Sequence, residues 1–513
     1  MIRYILVLMI TAIFCFQIVN AGAETISIEK DLLEKILKRQ DELEKKIETL
    51  QQKLNTRDSE KSKTLDVDIK PDSDISPDSG ITEDVKYLKS DVEEISDRLD
   101  KVETKSILDK IQIGGEFRTQ VNFLNFDDIK ADGQNFSSQK EDANIDELWW
   151  TRLRLNLRSN ITKDLIFHGR LSYLKYWGTT NYENDTWDAR FFMTPEQEGN
   201  LHVERAYIDY FIPETPLSFT LGRLPTSNAP PYEFKNYTTR KATWAQLFVD
   251  GEFDGIMGNL SLEKWTGLKN SMTRLAYVKV SQNYSQYQAL DLDSARVIGA
   301  NFDMEIPGVN DSLFWLGYYK VFDLTPLKVE GAVSPEDSGE ADTYTIHVQF
   351  DNLMDSGLGW FASFAYQNIQ PSSQGTVLAP GYEVGLVGDS LHGDLGETQE
   401  GYSFYTGLKY ILPIESLKYP NIGFEYNYGS QYWLPLSTHT SGEFTNKLGV
   451  NGSAYELYYI QPIIKNNMFC RLGAVYQDYK YFPLMYLYGS RDGQETESNM
   501  SVLHTYFLVD VRF

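Results

Sequence analysis

At 513 residues with a formal net charge of −25, the chain can bury a large core and is too acidic for nucleic acid or anionic lipid headgroups to be its main partners. Aromatic residues make up 13%, with 33 tyrosines and 27 phenylalanines, yet the mean hydropathy is −0.39. Such aromatic richness without long apolar runs excludes spanning helices beyond the first residues and fits alternating barrel strands with interfacial girdles. The acidic surplus suits a well-hydrated surface and loops that hold divalent cations; no other cofactor is expected.

Residues 1–23 read as a secretory signal, with Arg3 as the positive region, an apolar stretch over 4–16 and Ala21-Gly22-Ala23 as the cleavage site. Cleavage after Ala23 leaves Cys470 as the one cysteine, which excludes a disulfide within the mature chain. Two coiled-coil segments follow, at 24–55 and 81–107. In the first, Leu33, Ile36, Gln40, Leu43, Ile47, Leu50 and Leu54 recur three and four residues apart. Ile81, Val85, Leu88, Val92, Ile95, Leu99 and Val102 repeat the pattern in the second. That 3.5-residue period with charge elsewhere on the helix predicts self-association. Between them, residues 56–80 are rich in Asp, Ser and Lys, with Pro71 and Pro77, and read as a flexible acidic spacer.

From 108 to 513 the pattern is β. About sixteen alternating runs begin near Ile111, Leu148, Leu165, Leu201, Leu217, Phe253, Met272, Ala295, Ser312, Thr343, Gly359, Tyr402, Asn421, Ala454, Met468 and Ser501. Short connections (159–164, 213–216, 307–311, 351–357) alternate with long ones (127–146, 178–200, 224–250, 370–400, 435–452, 483–500). Outer-membrane barrels show that asymmetry, with tight periplasmic turns and long external loops. The expected fold is therefore an all-β transmembrane barrel of about sixteen antiparallel strands, preceded by an α-helical coiled coil. An even strand number places both barrel ends, and hence the coiled coil, in the periplasm.

In the run over 149–158, Trp149, Thr151, Leu153, Leu155 and Leu157 alternate with Arg152, Arg154, Asn156 and Arg158. Glu116 and Arg118 alternate with Phe117 in the first strand; His168 and Arg170, then Arg205 and Asp209, alternate with apolar residues in the next two. Arginine facing lipid near the midplane costs about 2–4 kcal/mol, so these polar faces are assigned to a wet lumen. The expected pore lining is a basic wall of Arg118, Arg152, Arg154, Arg158, Arg170 and Arg205 with the acidic residues Glu116 and Asp209. Pro225, Pro230 and Pro231 take the chain out of the sheet after the fifth strand, which makes 224–232 a candidate constriction loop, and 127–146 is another candidate. The basic ladder leans towards anions and the overall charge towards cations.

The final run, 501–513, sets Leu503, Thr505, Phe507, Val509, Val511 and Phe513 on one face and His504, Tyr506, Leu508, Asp510 and Arg512 on the other. With its C-terminal Phe it resembles the closing strand of bacterial outer-membrane barrels, and 147–513 resembles bacterial porins in general. The blocks HGRLSYLKYWG (168–178), ERAYIDYF (204–211) and LGRLPTSNAPPYEF (221–234) are similar to an uncharacterised family of porin-like outer-membrane proteins with an N-terminal coiled coil. An Arg-Ala-Tyr strand followed by a Gly-Arg strand also resembles phosphate-selective porins, without their lysine-rich loop. The resemblance implies an outer-membrane channel for ions and small hydrophilic solutes, assembled as a homotrimer, with membrane lipids and the barrel-assembly machinery as partners. The alternative is a plugged barrel serving as an anchor or cell-wall tether. No HExxH pair, GxSxG elbow or phosphate-cradling loop occurs, and no enzyme activity is expected.

Overall fold

The computed structural model describes residues 111–127, 143–178, 201–237, 244–251, 253–279, 296–322, 332–333, 339–371, 377–378, 398–434, 445–464, 467–481 and 499–513. The signal, both coiled-coil segments and the spacer lie outside the described residues. Sixteen antiparallel strands form a closed barrel. They are β1 (Ile111–Asp127), β2 (Ala143–Asn160), β3 (Leu165–Tyr176), β4 (Leu201–Phe211), β5 (Leu217–Arg223) and β6 (Asp254–Ser261). The ring continues with β7 (Met272–Lys279), β8 (Arg296–Met304), β9 (Ser312–Phe322), β10 (Gly339–Phe350) and β11 (Leu358–Pro371). It ends with β12 (Gln399–Ile411), β13 (Asn421–Gly429), β14 (Gly452–Ile464), β15 (Met468–Tyr479) and β16 (Ser501–Arg512). A separate two-residue ribbon pairs Ala332–Val333 with Val377–Leu378.

Each strand pairs with its sequence neighbours, and β1 closes the ring on β16 in the register Glu116↔Arg512 to Asp127↔Ser501. Closure leaves no unpaired edge, which is what lets a sheet sit in lipid. The last residue completes the seam: Gly115 N donates to Phe513 O at 2.7 Å, and Phe513 N to Gly115 O at 3.1 Å. The Phe513 ring lies so close over Gly115 that a Cβ there would come within 2.2 Å of it. Glycine at 115 is therefore a packing requirement of the closing strand.

Strand starts fall within a residue or two of the sequence expectation except at β2, β10 and β12. β2 begins five residues early, because polar Asn144 and Ile145 pair with Asn125 and Leu124 beyond a register shift. Partner hydrogen bonds there override weak strand propensity. Outward positions carry Phe117, Leu221, Ile256, Leu275, Ile298, Leu316, Phe364, Leu408, Phe424 and Leu457, all exposed on the barrel surface. Exposed apolar side chains on neighbouring strands make a lipid-facing belt, and the barrel is a transmembrane one. Among the described residues no helix is long and apolar enough to cross a membrane.

Candidate functional site: a bridged lumen

Sixteen strands enclose room for an aqueous channel. In this barrel two of the long connections turn inward and occupy that room. The first leaves β5 at Leu224. Its prolines cannot continue the ladder, and its apolar residues Leu224, Ala229, Trp244, Phe248 and Val249 are buried against the inner faces of β7 to β11, including Val278, Val297, Trp315, Tyr319 and Ile369. Polar groups close its stem: Asn228 N donates to Asp250 Oδ1 at 2.9 Å, Gln246 N to Pro230 O at 2.8 Å, and Thr226 Oγ1 to Gly251 O at 2.6 Å. A fully apolar cavity of about 40 Å³ remains between Leu224, Trp244, Phe248, Val278, Val297 and Tyr319. The expected constriction segment 224–232 does fold into the lumen.

Its tip is a one-turn helix, α1 (Tyr232–Asn236), in which every residue is buried. In the closed order β5 and β13 stand eight places apart in a ring of sixteen, which is half a turn. The tip nevertheless reaches that far side. Lys235 Nζ lies 2.9 Å from Glu456 Oε2 on β14 and 3.7 Å from Glu425 Oε2 on β13. Arg471 Nη1 on β15 donates to Lys235 O at 2.9 Å, and Arg118 Nη2 on β1 to Asn236 Oδ1 at 2.7 Å. Phe234 packs edge-on to Phe361 of β11 with ring centres 5.6 Å apart, and Lys409 Nζ sits 4.4 Å from the Phe234 ring centre. Gly359 makes room for it: a Cβ at that position would come within 3.0 Å of the Phe234 ring. The loop is a strut from one wall to the opposite one.

The second infolded connection joins β13 to β14. Asn451 Nδ2 donates to the carbonyls of Ser430 and Trp433 at 2.9 and 3.0 Å, pinning the two ends together. Asn446 Oδ1 accepts from Leu448 N and Gly449 N at 3.1 and 3.2 Å, which turns the chain inward. Lys447 is thereby delivered to Glu425 and Glu456, the carboxylates that Lys235 also approaches. Tyr405 donates to Glu425 and Tyr506 to Glu456, at 2.6 and 2.7 Å. Two lysines and two tyrosines thus partner these buried carboxylates, as buried charge requires.

The basic wall is where alternation placed it, on the inner face of β1 to β4. Arg152 Nη2 meets Glu116 Oε1 at 2.7 Å, and Arg154 Nε meets Glu204 Oε2 at 2.6 Å. Arg170 Nη1 meets Glu204 Oε1 at 3.0 Å, and its Nε donates to Asn156 Oδ1 at 2.7 Å. Arg118 Nε donates to Asp510 Oδ2 at 2.8 Å. Arg205 Nε donates to Ser227 Oγ at 3.2 Å, and a second nitrogen to the Ser227 carbonyl. Arg158 is exposed at the short-turn end. Asp209 accepts from Thr220 Oγ1 at 2.6 Å and lies 3.4 Å from His168 Nε2, whose ring stacks on Tyr207.

Two features depart from the sequence reading. The wall was expected to line open water, yet Arg118, Arg152 and Arg154 are 0, 1 and 2% exposed. Strict alternation also puts Glu204 and Arg205 on opposite faces. A register shift, with Arg170 opposite Arg205 and Leu171 opposite Val203, leaves Glu204 as the extra residue, and it is buried inside beside Arg154 and Arg170. On the closing strand Phe507, Val509, Val511 and Phe513 keep the outward face, and His504, Tyr506, Leu508 and Asp510 are buried inward.

Residues 142–490 match the model of a family described as proteins of unknown function, DUF3373. Among solved structures, the chain is similar to an anion-selective porin from Comamonas acidovorans, at 11% identity over 79% of this chain and 99% of that one, with a TM-score of 0.43. It is also similar to OmpF of Salmonella typhi, in complex with daunomycin, at 11% identity, 79% and 97% coverage and a TM-score of 0.42. For OprB of Pseudomonas putida the values are 12%, 80%, 96% and 0.43. No curated protein matches the sequence. Because the family match spans more than half of the residues, the chain belongs to the DUF3373 family.

Proposed function

We propose that this protein is an outer-membrane channel through which ions and small hydrophilic solutes diffuse along a lumen narrowed by two infolded loops. The observation that carries this reading is the strut: a loop that crosses a sixteen-strand, charge-lined barrel and bonds to its far wall. Charged rings and loops at a narrow point set which solutes enter and leave. On the same reading the barrel is embedded in outer-membrane lipid after delivery by the assembly machinery. The N-terminal coiled coil lies in the periplasm, where it aids trimerisation or spaces the envelope. No catalytic step and no resident cofactor is assigned to it.

A structural anchor with a non-conducting barrel is the second reading. It is favoured by how deeply the lumen charges are buried, with Arg471 at 1% exposure and Asp510 at 0%. Liposomes carrying the purified mature protein separate the two. A channel admits small sugars and amino acids at rates that fall steeply with solute size. An anchor leaves the liposomes as tight as protein-free ones, and that result would reject the channel.

A further inference from the structure

The tip of the strut sits on the seam where the barrel closes. There β1 meets β16 with Arg118 opposite Asp510, residues 392 apart in the chain. Every other neighbouring pair of strands is consecutive in sequence and so joined by its own connection. Holding the seam closes the longest loop of the barrel, the closure that costs the most conformational entropy. Arg118 Nε donates to Asp510 Oδ2 at 2.8 Å, and Arg512 Nε lies 3.0 Å from Asp510 Oδ1. The same two arginines also turn to the loop. Arg118 Nη2 donates to Asn236 Oδ1 at 2.7 Å, and Arg512 donates to the Asn236 and Tyr237 carbonyls at 2.5 and 3.2 Å. From β15, Arg471 Nη1 donates to the Lys235 carbonyl at 2.9 Å and lies 3.4 Å from Asn236 Oδ1. These carbonyls close the one-turn helix α1, where helical partners run out.

The first strand and the last two thus converge on Lys235, Asn236 and Tyr237. Their donors reach one helix end together only when β1 and β16 are paired. We propose that the strut is a latch for the barrel seam, docking once the ring has closed and then resisting separation of β1 from β16. Hydrogen bonds donated by a guanidinium are about twice as strong as neutral ones, and here they link both sides of the seam to one loop segment. Arg118 is fully buried, so parting the strands would take its charge away from Asp510 as well as break the ladder. The latch does not depend on whether the barrel conducts.

The test is the temperature at which the purified full chain in detergent loses its folded barrel, for the wild type and Asn236→Ala, each with and without a disulfide across the seam. Thr119→Cys with Val509→Cys, cross-strand partners on the outer face, supplies that bond in a Cys470→Ser background. Leu275→Cys with Ala300→Cys places a control bond between β7 and β8. Asn236→Ala is expected to lower the midpoint by several degrees, and the oxidised seam bond to restore most of that loss. Coupling of loop to seam appears as a larger gain from the seam bond in Asn236→Ala than in the wild type, whereas the control bond adds the same to both. An unchanged midpoint in Asn236→Ala, or equal gains from the seam bond in the two proteins, would overturn the latch. Where Asn236→Ala fails to assemble, Arg512→Gln, which leaves the Arg118–Asp510 pair in place, gives the same comparison with the same two outcomes.

Discussion

The two walls of the lumen use buried charge for different ends. On the far wall, the strands supply the carboxylates Glu425 and Glu456, and two loops supply the cations Lys235 and Lys447. Opposite charges from different segments hold those segments together, and Tyr405 and Tyr506 donate to the same two carboxylates. On the near wall the strands supply the arginines themselves, side by side on neighbouring strands, running out to an exposed Arg158. The first arrangement is a clamp; the second is a surface left charged. The contrast teaches that one lumen holds its loops in two ways, by ion pairs on the far wall and by arginines donating to neutral loop groups, Arg118 to Asn236 and Arg205 to Ser227, on the near one.

Breaking the clamp should give the largest effect. Removing one partner of a buried ion pair costs about 3–5 kcal/mol, because the other charge is stranded. Lys235→Met or Glu456→Gln should therefore lower the thermal unfolding midpoint and expose the 224–251 loop to protease, and the two together should recover part of the loss. Unaltered protease resistance in both single variants would show that Lys235 does not hold the strut. Next in size is the apolar seat of the tip: Phe234→Ala should cost about 3–5 kcal/mol before relaxation. Gly359→Val, which pushes a side chain into the Phe234 ring, should release the loop without touching a charge. Loop release by neither would argue that the aromatic contact is incidental.

Smaller effects separate closure from lumen chemistry. Phe513→Ala removes a ring that covers Gly115 and should cost about 1 kcal/mol, seen as lower heat stability of the folded barrel in detergent. Arg158→Gln should change stability by less than about 0.5 kcal/mol, since an exposed arginine with no side-chain ion pair among the described residues contributes little. A marked loss of stability there would place Arg158 in the clamp class and erase the contrast between the walls.

Much of this architecture was legible in the sequence because a barrel strand writes its two environments in alternation. Leu153 and Leu155 between Arg152, Arg154 and Asn156 fix both faces without any tertiary information. The long and short connections fix which end carries the loops. What could not be read is equally physical. Glu204 entered the lumen through a register shift, which depends on the partner strand and not on local pattern. The stretch FEYNYG at 424–429 and Glu456 within YELYYI at 455–460 carried a readable inward signal. Lys235 and Lys447 carried none: a loop lysine looks the same whether it faces water or bonds a carboxylate on the opposite wall. Burial of the basic wall was equally hidden, because it depends on loops folding inward, which alternation does not encode.

The most direct test of the account is single-channel conductance of the wild type beside a variant whose residues 226–250 are replaced by a short Gly-Ser linker. If the strut narrows a channel, both conduct and the shortened variant shows steps several times larger, with weaker discrimination by solute size. Equal conductance in the two proteins, or silence in both, would contradict a lumen governed by that loop.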